Sequence, residues 1–340
     1  MTVMARPDQR VPRYGWLVVA RKELGDHLLS ARFLVLVLVL GLAAIVPLYF
    51  AADRIRDVAS DVSGQPAVFL FLFTIPAEGI AILRVDIFVG IIAPLLGIAF
   101  AFDAVNGERA DGTLPRLLSQ PIHRDDVING KFAAGLLVIA MVLTAVILLI
   151  AAAGMFRLGI VPTAGEILRI FAWLAVTIVY VGFWLAFGLL LSVLVRRAAT
   201  AALIGFGIWI LVTVFGQLIV GLVATFIAPL SGGTQEDQLE AFQTRQTIVR
   251  LLPHSLYQES TSYILDPLDP VTAAQQGTRN FIPSSIGQLD QATDPNRIPS
   301  LLSVDQSLLL VWPQVVALVF LTVVCFALAY IAFMRQEVRA

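Results

Sequence analysis

Six long stretches of this chain are apolar and free of charged residues, and they constrain the fold more than any other feature. A helix needs about 20 apolar residues to cross a bilayer core about 30 Å thick. Pro94 lies inside the second and shortest stretch, where proline allows a kink or a broken helix. The sequence predicts an all-α polytopic membrane protein, with one transmembrane domain over residues 1–340 and six spans at 33–50, 87–102, 132–156, 170–195, 199–228 and 309–334.

The composition excludes several classes of protein. Hydrophobic residues make up 58% of the chain and charged residues 14%, against about 45–50% and about 25% in soluble domains. The mean hydropathy of +0.86 excludes a disordered chain, and the formal net charge of -1 leaves no basic surface for nucleic acid. The single cysteine, Cys325, excludes intramolecular disulfides and zinc sites built from several thiolates.

Lysine and arginine predict the orientation of the spans, because cytoplasmic loops carry an excess of both residues. With the N-terminus inside, the inner segments hold 14 Lys and Arg in about 71 positions, and the outer segments hold nine in about 127. The sequence therefore predicts a multi-pass protein of the plasma (inner) membrane with both termini in the cytoplasm. The first stretch follows about 32 more polar residues, which favours a retained span over a signal peptide.

Residues 12–30, within the cytoplasmic N-terminal segment 1–32, predict an amphipathic elbow helix that lies in the membrane interface. Most of its charged residues, Glu23 among them, fall away from the apolar face, and Trp16 suits the depth of the lipid headgroups. The alternative is a simple extension of the first span. The apolar face is formed by Tyr14, Leu17, Val18, Leu24 and Leu28.

Two further segments lie outside the predicted spans on the external side. Residues 229–308, between the fifth and sixth spans, form the largest external loop, and the spacing of apolar residues in 236–252 predicts a short helix there. Residues 67–83 are rich in phenylalanine but are interrupted by Pro76 and Gly79, which predicts an interfacial or re-entrant hairpin.

The six spans contain no Asp, Glu, Lys, Arg or His. Proton- or sodium-coupled transporters normally place such a residue at mid-membrane, so the sequence disfavours ion coupling. Gln217 is the candidate for an intramembrane polar contact, most simply a hydrogen bond between helices. The chain has no nucleotide-binding loop, and its three histidines are too dispersed to hold a metal. We therefore predict no catalytic residue, metal or cofactor in this chain, and an energy source on another polypeptide.

The largest cytoplasmic loop, residues 103–131, concentrates charge and glycine in a short stretch. Residues 107–114 read Gly-Glu-Arg-Ala-Asp-Gly-Thr-Leu. Leu114, Leu117 and Leu118 then recur at the spacing of one helix face, ahead of Pro121. These residues alone are consistent with a compact elbow that has an apolar face, or with an ordinary solvated connector.

The spacing within this loop resembles that of a known family. The pattern Gly-Glu-Arg-x-x-Gly-Thr-Leu-x-x-Leu-Leu, followed by Gly130-Lys131, is similar to the loop between the second and third spans of ABC type-2 transporter permeases. It most resembles the branch related to the permease of the copper and nitrous-oxide-reductase maturation system. The order of spans, the elbow helix and the stretch 253–267 are also similar. The long external segment departs from that branch and leaves the substrate open.

The resemblance implies a permease that pairs with a second copy or a similar permease and binds two cytoplasmic ATPase subunits, which carry the ATP and Mg²⁺. An elbow helix containing Trp16, Arg21, Lys22 and Glu23 would lie beside the ATPase-coupling loop. Gly112 permits a tight backbone turn in that loop, and the leucines supply apolar area. The coupling residues implied by the resemblance are Glu108, Arg109, Asp111, Gly112, Thr113, Leu114, Leu117 and Leu118.

Three functions remain open at this point. The first is an ABC permease, which the resemblance implies to be an exporter, with apolar spans in contact with membrane lipids and suited to lipid-like substrates. The second is a subunit that transmits ATP-driven motion to an external partner protein docked on residues 229–308, without moving a substrate. The third is a membrane scaffold that has no ATPase partner.

Overall fold

The computed structural model describes residues 15–61, 68–75, 84–120, 122–227, 241, 244–245, 247–266 and 302–336, and these residues form helices and their connections. π-helical turns follow two of the helices, at Gly154–Leu158 and Ile210–Val214. The helices are α1 (Gly15–Leu28), α2 (Ala31–Asp61), α3 (Phe71–Thr74), α4 (Val85–Ala101), α5 (Asn106–Ala110), α6 (Thr113–Leu118), α7 (Arg124–Ala153), α8 (Ala164–Leu194), α9 (Ala198–Trp209), α10 (Gly216–Ile227), α11 (Pro253–Leu265) and α12 (Val304–Arg335).

The predicted all-α polytopic architecture is confirmed. Five helices, α2, α4, α7, α8 and α12, are each long and apolar enough to cross a membrane. The fifth predicted span corresponds to the pair α9–α10, which bends by 55°. Helix α4 continues through Pro94, so the broken helix lies in the fifth span rather than the second. The break follows the π-helical turn Ile210–Val214, one of the recognised causes of sharp kinks.

Helix α8 lies at the centre of the bundle and packs against α4, α7, α9, α11 and α12. Its large side chains, including Trp173, Tyr180 and Trp184, are fully buried. In contrast, α2 and α12 leave most of their apolar side chains exposed. Apolar exposure of this kind suits spans that contact lipid or another membrane subunit.

The predicted amphipathic helix is present as α1, which packs against α7 through Gly15, Val19 and Glu23. Leu17, Val18 and Leu28 are exposed on its other side, as suits a helix that also contacts the membrane interface. Leu24 is partly buried against the core, and Tyr14 lies outside the described residues. Glu23 lies away from the exposed apolar side chains, as the sequence predicts, and it is buried against α7.

The phenylalanine-rich segment packs against the start of α8. Phe69 and Phe73 are buried, and the Phe69 amide donates to Glu166 Oε1 over 2.7 Å. Phe73 makes an edge contact with the Trp173 ring. Residues 76–83, the other arm of the predicted hairpin, lie outside the described residues.

Helix α11 lies inside the bundle, whereas the sequence predicts an external loop for its residues. It packs along α8 and α12 and also contacts α4, and most of its side chains are buried. Arg169 anchors its end by donating to the Ile264 carbonyl over 3.0 Å and to the Ser307 hydroxyl over 2.9 Å. Most of the remaining residues of the predicted loop, including most of the helix predicted over 236–252, lie outside the described residues.

Candidate functional site

The loop between α4 and α7 folds into two short helices joined by a left-handed turn. Helix α5 ends at Ala110, and Gly112, with φ of 67°, precedes α6. A side chain is disfavoured at this φ, so the predicted tight turn at Gly112 is confirmed together with its need for glycine. The Thr113 hydroxyl donates to the Glu108 carbonyl oxygen over 3.2 Å and holds the turn closed.

The residues predicted to couple to an ATPase divide into an exposed set and an inward set. Asp111, Gly112 and Thr113 are exposed at the turn, and Arg116 is exposed one helical turn further on. Leu114, in contrast with its predicted role at a partner surface, is 1% exposed and packs into the core of this chain. The remaining two leucines are Leu117, which is half-buried, and Leu118, whose side chain lies outside the described residues.

Glu108 and Arg109 point towards the spans. Lys131, near the start of α7, donates to Glu108 Oε1 over 2.9 Å. Arg109 donates to the side-chain oxygen of Gln336, just beyond the end of α12. These two predicted docking residues therefore hold the loop against the bundle.

Lys131 is a buried cation shared by two carboxylates. Its side chain is 3% exposed, and Nζ lies 3.0 Å from Glu23 Oε1 and 2.9 Å from Glu108 Oε1. Because burying an ammonium without a partner is costly, the two carboxylates offset the cost of its burial. We call Glu23, Glu108 and Lys131 the lysine cluster. It joins α1, α5 and α7 at one point.

Glu23 is held in its charged form by this cluster. Burial acts to raise the pKa of Glu23, but the Lys131 ammonium and the neighbouring Lys22 outweigh burial, so the pKa lies below its usual value. Lys22 lies at the rim of the cluster, 3.1 Å from Glu23 Oε1 and 3.2 Å from Asp26 Oδ2. Lys22 is therefore exposed to solvent, whereas Lys131 is not.

The other predicted elbow residues lie around this cluster without entering it. Arg21 is exposed, and Trp16 is 39% exposed while its amide donates to Asp126 Oδ1 over 2.9 Å. Gly130 lets α1 approach α7 closely, because a Cβ at Gly130 would lie 2.6 Å from Val19 Cβ. The elbow helix is thus fixed to the third span by backbone contact as well as by charge.

The loop is also tied to the ends of α8 and α12. The Ser192 hydroxyl accepts from the amides of Val105 and Asn106 over 2.9 and 3.2 Å. The Asn106 side chain donates to the Val195 carbonyl over 3.1 Å. Gln336, which accepts from Arg109, donates in turn to the Val193 carbonyl over 2.7 Å. The loop is therefore hydrogen-bonded to residues at the ends of two further spans, α8 and α12.

Helix α2 joins the same assembly through Arg32. Its guanidinium lies 2.5 Å from Asp103 Oδ2 and 5.1 Å from the centre of the Phe102 ring. Helices α1, α5 and α6, which we call the coupling face, thus contact α2, α7, α8 and α12. The coupling face is therefore in direct contact with four of the spans.

A second polar group of residues lies deeper in the bundle, between α8 and α11. The Tyr257 hydroxyl accepts from Trp173 Nε1 over 3.1 Å and lies 3.2 Å from the Thr177 hydroxyl. The Tyr180 hydroxyl lies 3.2 Å from His254 Nδ1, and its ring stacks on that of Tyr257 at 4.4 Å. Sequence reasoning missed this contact, although both helices carry polar residues at heptad spacing, at 173, 177 and 180 and at 254, 257 and 261.

The predicted membrane contact Gln217 lies half-buried at the start of α10, beside the break in the fifth span. Its role as a polar contact stays a prediction. Among the residues that the structure describes, no group of three or more His, Cys, Asp or Glu side chains is arranged to hold a metal ion.

Six spans, an elbow helix and a charged two-helix loop fixed to the elbow define the membrane subunit of an ABC transporter. The chain belongs to the family described as ABC-2 family transporter protein, which it matches over residues 17–338. This match covers nearly the whole chain, including the coupling face and α11.

Two relatives are described as "Probable ABC transporter permease protein NosY". The protein of Stutzerimonas stutzeri is 29% identical over 209 residues, which are 60% of this chain and 69% of that protein. The protein of Pseudomonas aeruginosa PAO1 is 28% identical over 123 residues, which are 36% of this chain and 39% of that protein. Both likenesses agree with the resemblance found in the loop sequence.

Proposed function

We propose that this chain is the permease subunit of an exporter driven by two separate cytoplasmic ATPase subunits. The family supports an ABC transporter membrane subunit, and the sequence contains no nucleotide-binding loop of its own. ATP and Mg²⁺ then bind to the partner subunits, and this chain has no catalytic role. Export is inferred from the family resemblance.

The lysine cluster is the observation that carries this proposal. A transmission element must be stiff at the point where force enters, and it must contact the parts that move. Lys131 joins the elbow helix and the coupling loop, and Ser192 and Gln336 connect that loop to α8 and α12. ATP-driven closure of the partner subunits would move the coupling face as one body and rock the spans between two packings.

The exposed turn of the loop is the surface that suits an ATPase. Asp111 and Arg116 present opposite charges, and Gly112 and Thr113 lie at the tip. Charged residues at the rim of an interface fix orientation and partner choice. Leu114 supports this surface from beneath and does not form part of it.

The permease works as a dimer in this proposal, with a second copy or a similar permease in the same membrane. The exposed apolar sides of α2 and α12 provide surface for lipid and for that partner. The excess of Lys and Arg on the α1 side supports a cytoplasmic location for the coupling face and both termini, and the plasma membrane is the proposed location of the protein.

Transmission of motion to an external partner protein is the second candidate function. It is favoured by the packing of α11, because this helix ties the long segment between α10 and α12 to the central span α8. The coupling face would act in the same way under both functions. A cross-linking search from residues 229–308 would distinguish them, since only a transmission subunit requires a protein docked there.

Affinity purification of the tagged protein in mild detergent and in lipid nanodiscs tests the proposal, with ATP hydrolysis measured on the eluate. We expect a stoichiometric ATPase with the wild type and its loss with Asp111→Lys combined with Arg116→Glu. Both positions are exposed, so the double variant leaves the core intact. Leu114→Asp is unsuitable, since it buries a carboxylate and reports on folding.

Arg157→Glu is the matched control for charge reversal, because this exposed arginine lies in the connection between α7 and α8, away from the coupling face. It should retain the ATPase. Purification of the wild type without any ATPase in every detergent and in nanodiscs would overturn the proposal and favour the scaffold. Retention of the ATPase by the Asp111/Arg116 variant would overturn the docking surface alone.

A further inference from the structure

Two arginines lie in a very short connection between two spans. Helix α8 ends at Leu194 and α9 begins at Ala198, so three residues, among them Arg196 and Arg197, join the fourth span to the fifth. Three residues extend over about 10 Å at most, so this connection stays at the membrane surface, at the depth of the lipid headgroups. Both arginine side chains are exposed there.

A third arginine lies at the end of the last span. Arg335 is the final residue of α12, and its side chain is exposed. The side chain of Gln336, which follows it, donates to the Val193 carbonyl over 2.7 Å. Because Val193 comes shortly before Arg196, this bond places the end of α12 beside the end of α8. We call Arg196, Arg197 and Arg335 the arginine patch.

The arginine patch has no acidic partner within the part of the chain that the structure describes. None of its three side chains forms an ion pair or a hydrogen bond with those residues. In the adjoining coupling loop, Asp103 and Glu108 are already paired with other cations. Glu337, which follows α12, lies outside the described residues. Three unpaired guanidinium groups at one surface favour a negatively charged partner from outside the chain.

Exposed apolar side chains of the spans lie next to the arginine patch. Leu194 comes just before the two arginines of the connection and is 59% exposed. On α12, Ile331 and Met334 are exposed in the last turn, close to Arg335. The surface on the membrane side of the patch is therefore apolar, as suits acyl chains. An arginine can lay its stem along such a surface while its guanidinium group reaches the headgroup region.

The arginine patch differs from the exposed turn of the coupling loop in charge and in depth. The turn presents Asp111 and Arg116, which have opposite charges, and it lies midway along the much longer connection from α4 to α7. The patch is positive throughout and lies at the ends of spans. Charges of both signs suit the docking of a protein, whereas a surface of one sign beside apolar side chains matches an anionic membrane.

We propose that the arginine patch binds the headgroup of an anionic phospholipid of the surrounding membrane. The planar guanidinium group can donate two parallel hydrogen bonds to phosphate oxygens, which makes arginine well suited to this ligand. The lipid would bridge the ends of α8 and α12, which also hold the coupling loop through Gln336. This interaction goes beyond the proposed function, because the lipid is neither the transported molecule nor the ATPase.

The test measures which lipids stay bound to the protein. The full-length chain is placed in nanodiscs that hold phosphatidylglycerol and phosphatidylcholine in equal amounts with the same acyl chains. It is then extracted into mild detergent, and its bound lipids are quantified by mass spectrometry. We expect phosphatidylglycerol to be enriched about fivefold or more, since each basic residue near an anionic surface contributes about this factor. Arg196→Gln combined with Arg197→Gln should remove most of the enrichment, and Arg196→Lys combined with Arg197→Lys should keep it.

Arg116→Gln combined with Arg157→Gln is the matched control, because it removes the same charge from two exposed arginines outside the patch, and it should keep the enrichment. No enrichment with the wild type, or an equal loss with the control, would overturn the proposal. Enrichment kept by the Arg196/Arg197→Gln variant would also overturn it, and loss of the ATPase by that variant would then assign the patch to the ATPase. The bound lipids are measured on the chain without its ATPase, so failure of this proposal and failure of the permease proposal give different results.

Discussion

Lys131, near the start of α7, donates to Glu108 of the coupling loop over 2.9 Å, with its ammonium almost wholly removed from solvent. The predicted coupling loop is thus attached to the bundle by Lys131, a residue that stands out in the sequence only as part of the pair Gly130-Lys131. The same ammonium reaches Glu23 of the elbow helix over 3.0 Å.

Lys131→Met should destabilise the protein by about 3–5 kcal/mol, because it removes the buried cation that Glu23 and Glu108 share. The measurement is the melting temperature of the purified variant in detergent. Lys22→Met is the control, since Lys22 also contacts Glu23 but is 56% exposed, and it should cost less than about 1 kcal/mol.

Neutralising the carboxylates should rescue the loss of Lys131. The triple variant Glu23→Gln, Glu108→Gln, Lys131→Met removes all three charges and should regain much of the lost melting temperature. If the triple variant is as unstable as Lys131→Met alone, the lysine acts by packing and not by charge.

Acidification should weaken the attachment of the elbow helix. The pKa of Glu23 is lower in the folded protein than in the unfolded chain, so its stabilisation is present above the unfolded value, about 4.3, and is lost as the pH falls through the folded value. The difference in melting temperature between the wild type and Glu23→Gln should therefore be largest near pH 7 and shrink below about pH 4. A difference that does not vary between these pH values would contradict the charged pairing.

Gly112→Ala should destabilise the turn by about 1–2 kcal/mol, because alanine is disfavoured at a φ of 67°. It should also weaken ATPase co-purification, since the exposed turn would change shape. Gly107→Ala in the same loop is the control, because a Cβ there meets only Asp103 Cβ at 3.6 Å, an ordinary contact. Equal effects of the two substitutions would exclude a special role for the left-handed turn.

Two buried threonines should respond differently to replacement by valine. Thr177 donates to the Trp173 carbonyl over 2.7 Å and lies 3.2 Å from the Tyr257 hydroxyl, so Thr177→Val should cost about 1 kcal/mol or more. Thr213 makes no such bond within the described residues, and Thr213→Val should leave the melting temperature unchanged or raise it. A clear loss of stability in Thr213→Val would indicate that its hydroxyl has a structural partner.

The spans could be predicted from sequence because the bilayer imposes a length and an apolar composition that need no knowledge of neighbours. The turn at Gly112 was predictable for a similar local reason. The direction in which the Glu108 and Leu114 side chains point could not be predicted, because it depends on Lys131 and on the core beneath α6. The position of α11 could not be predicted either, since its polar residues resemble those of an external loop. Their role becomes clear only when the structure shows Tyr180 and Trp173 bonded to them.

The lysine cluster also sets an order of assembly during synthesis. Glu23 and Lys131 are separated by about 100 residues, and a chain grows at about 5–20 residues per second. Lys131 is therefore synthesised roughly 5–20 seconds after Glu23. During that interval the Glu23 carboxylate stays in water, and the elbow helix can pack only against the membrane surface. We expect its exposed apolar side chains, Leu17 and Val18, to hold it at the membrane surface. Insertion of α7 then brings Lys131 beneath it and converts a surface helix into a fixed part of the bundle.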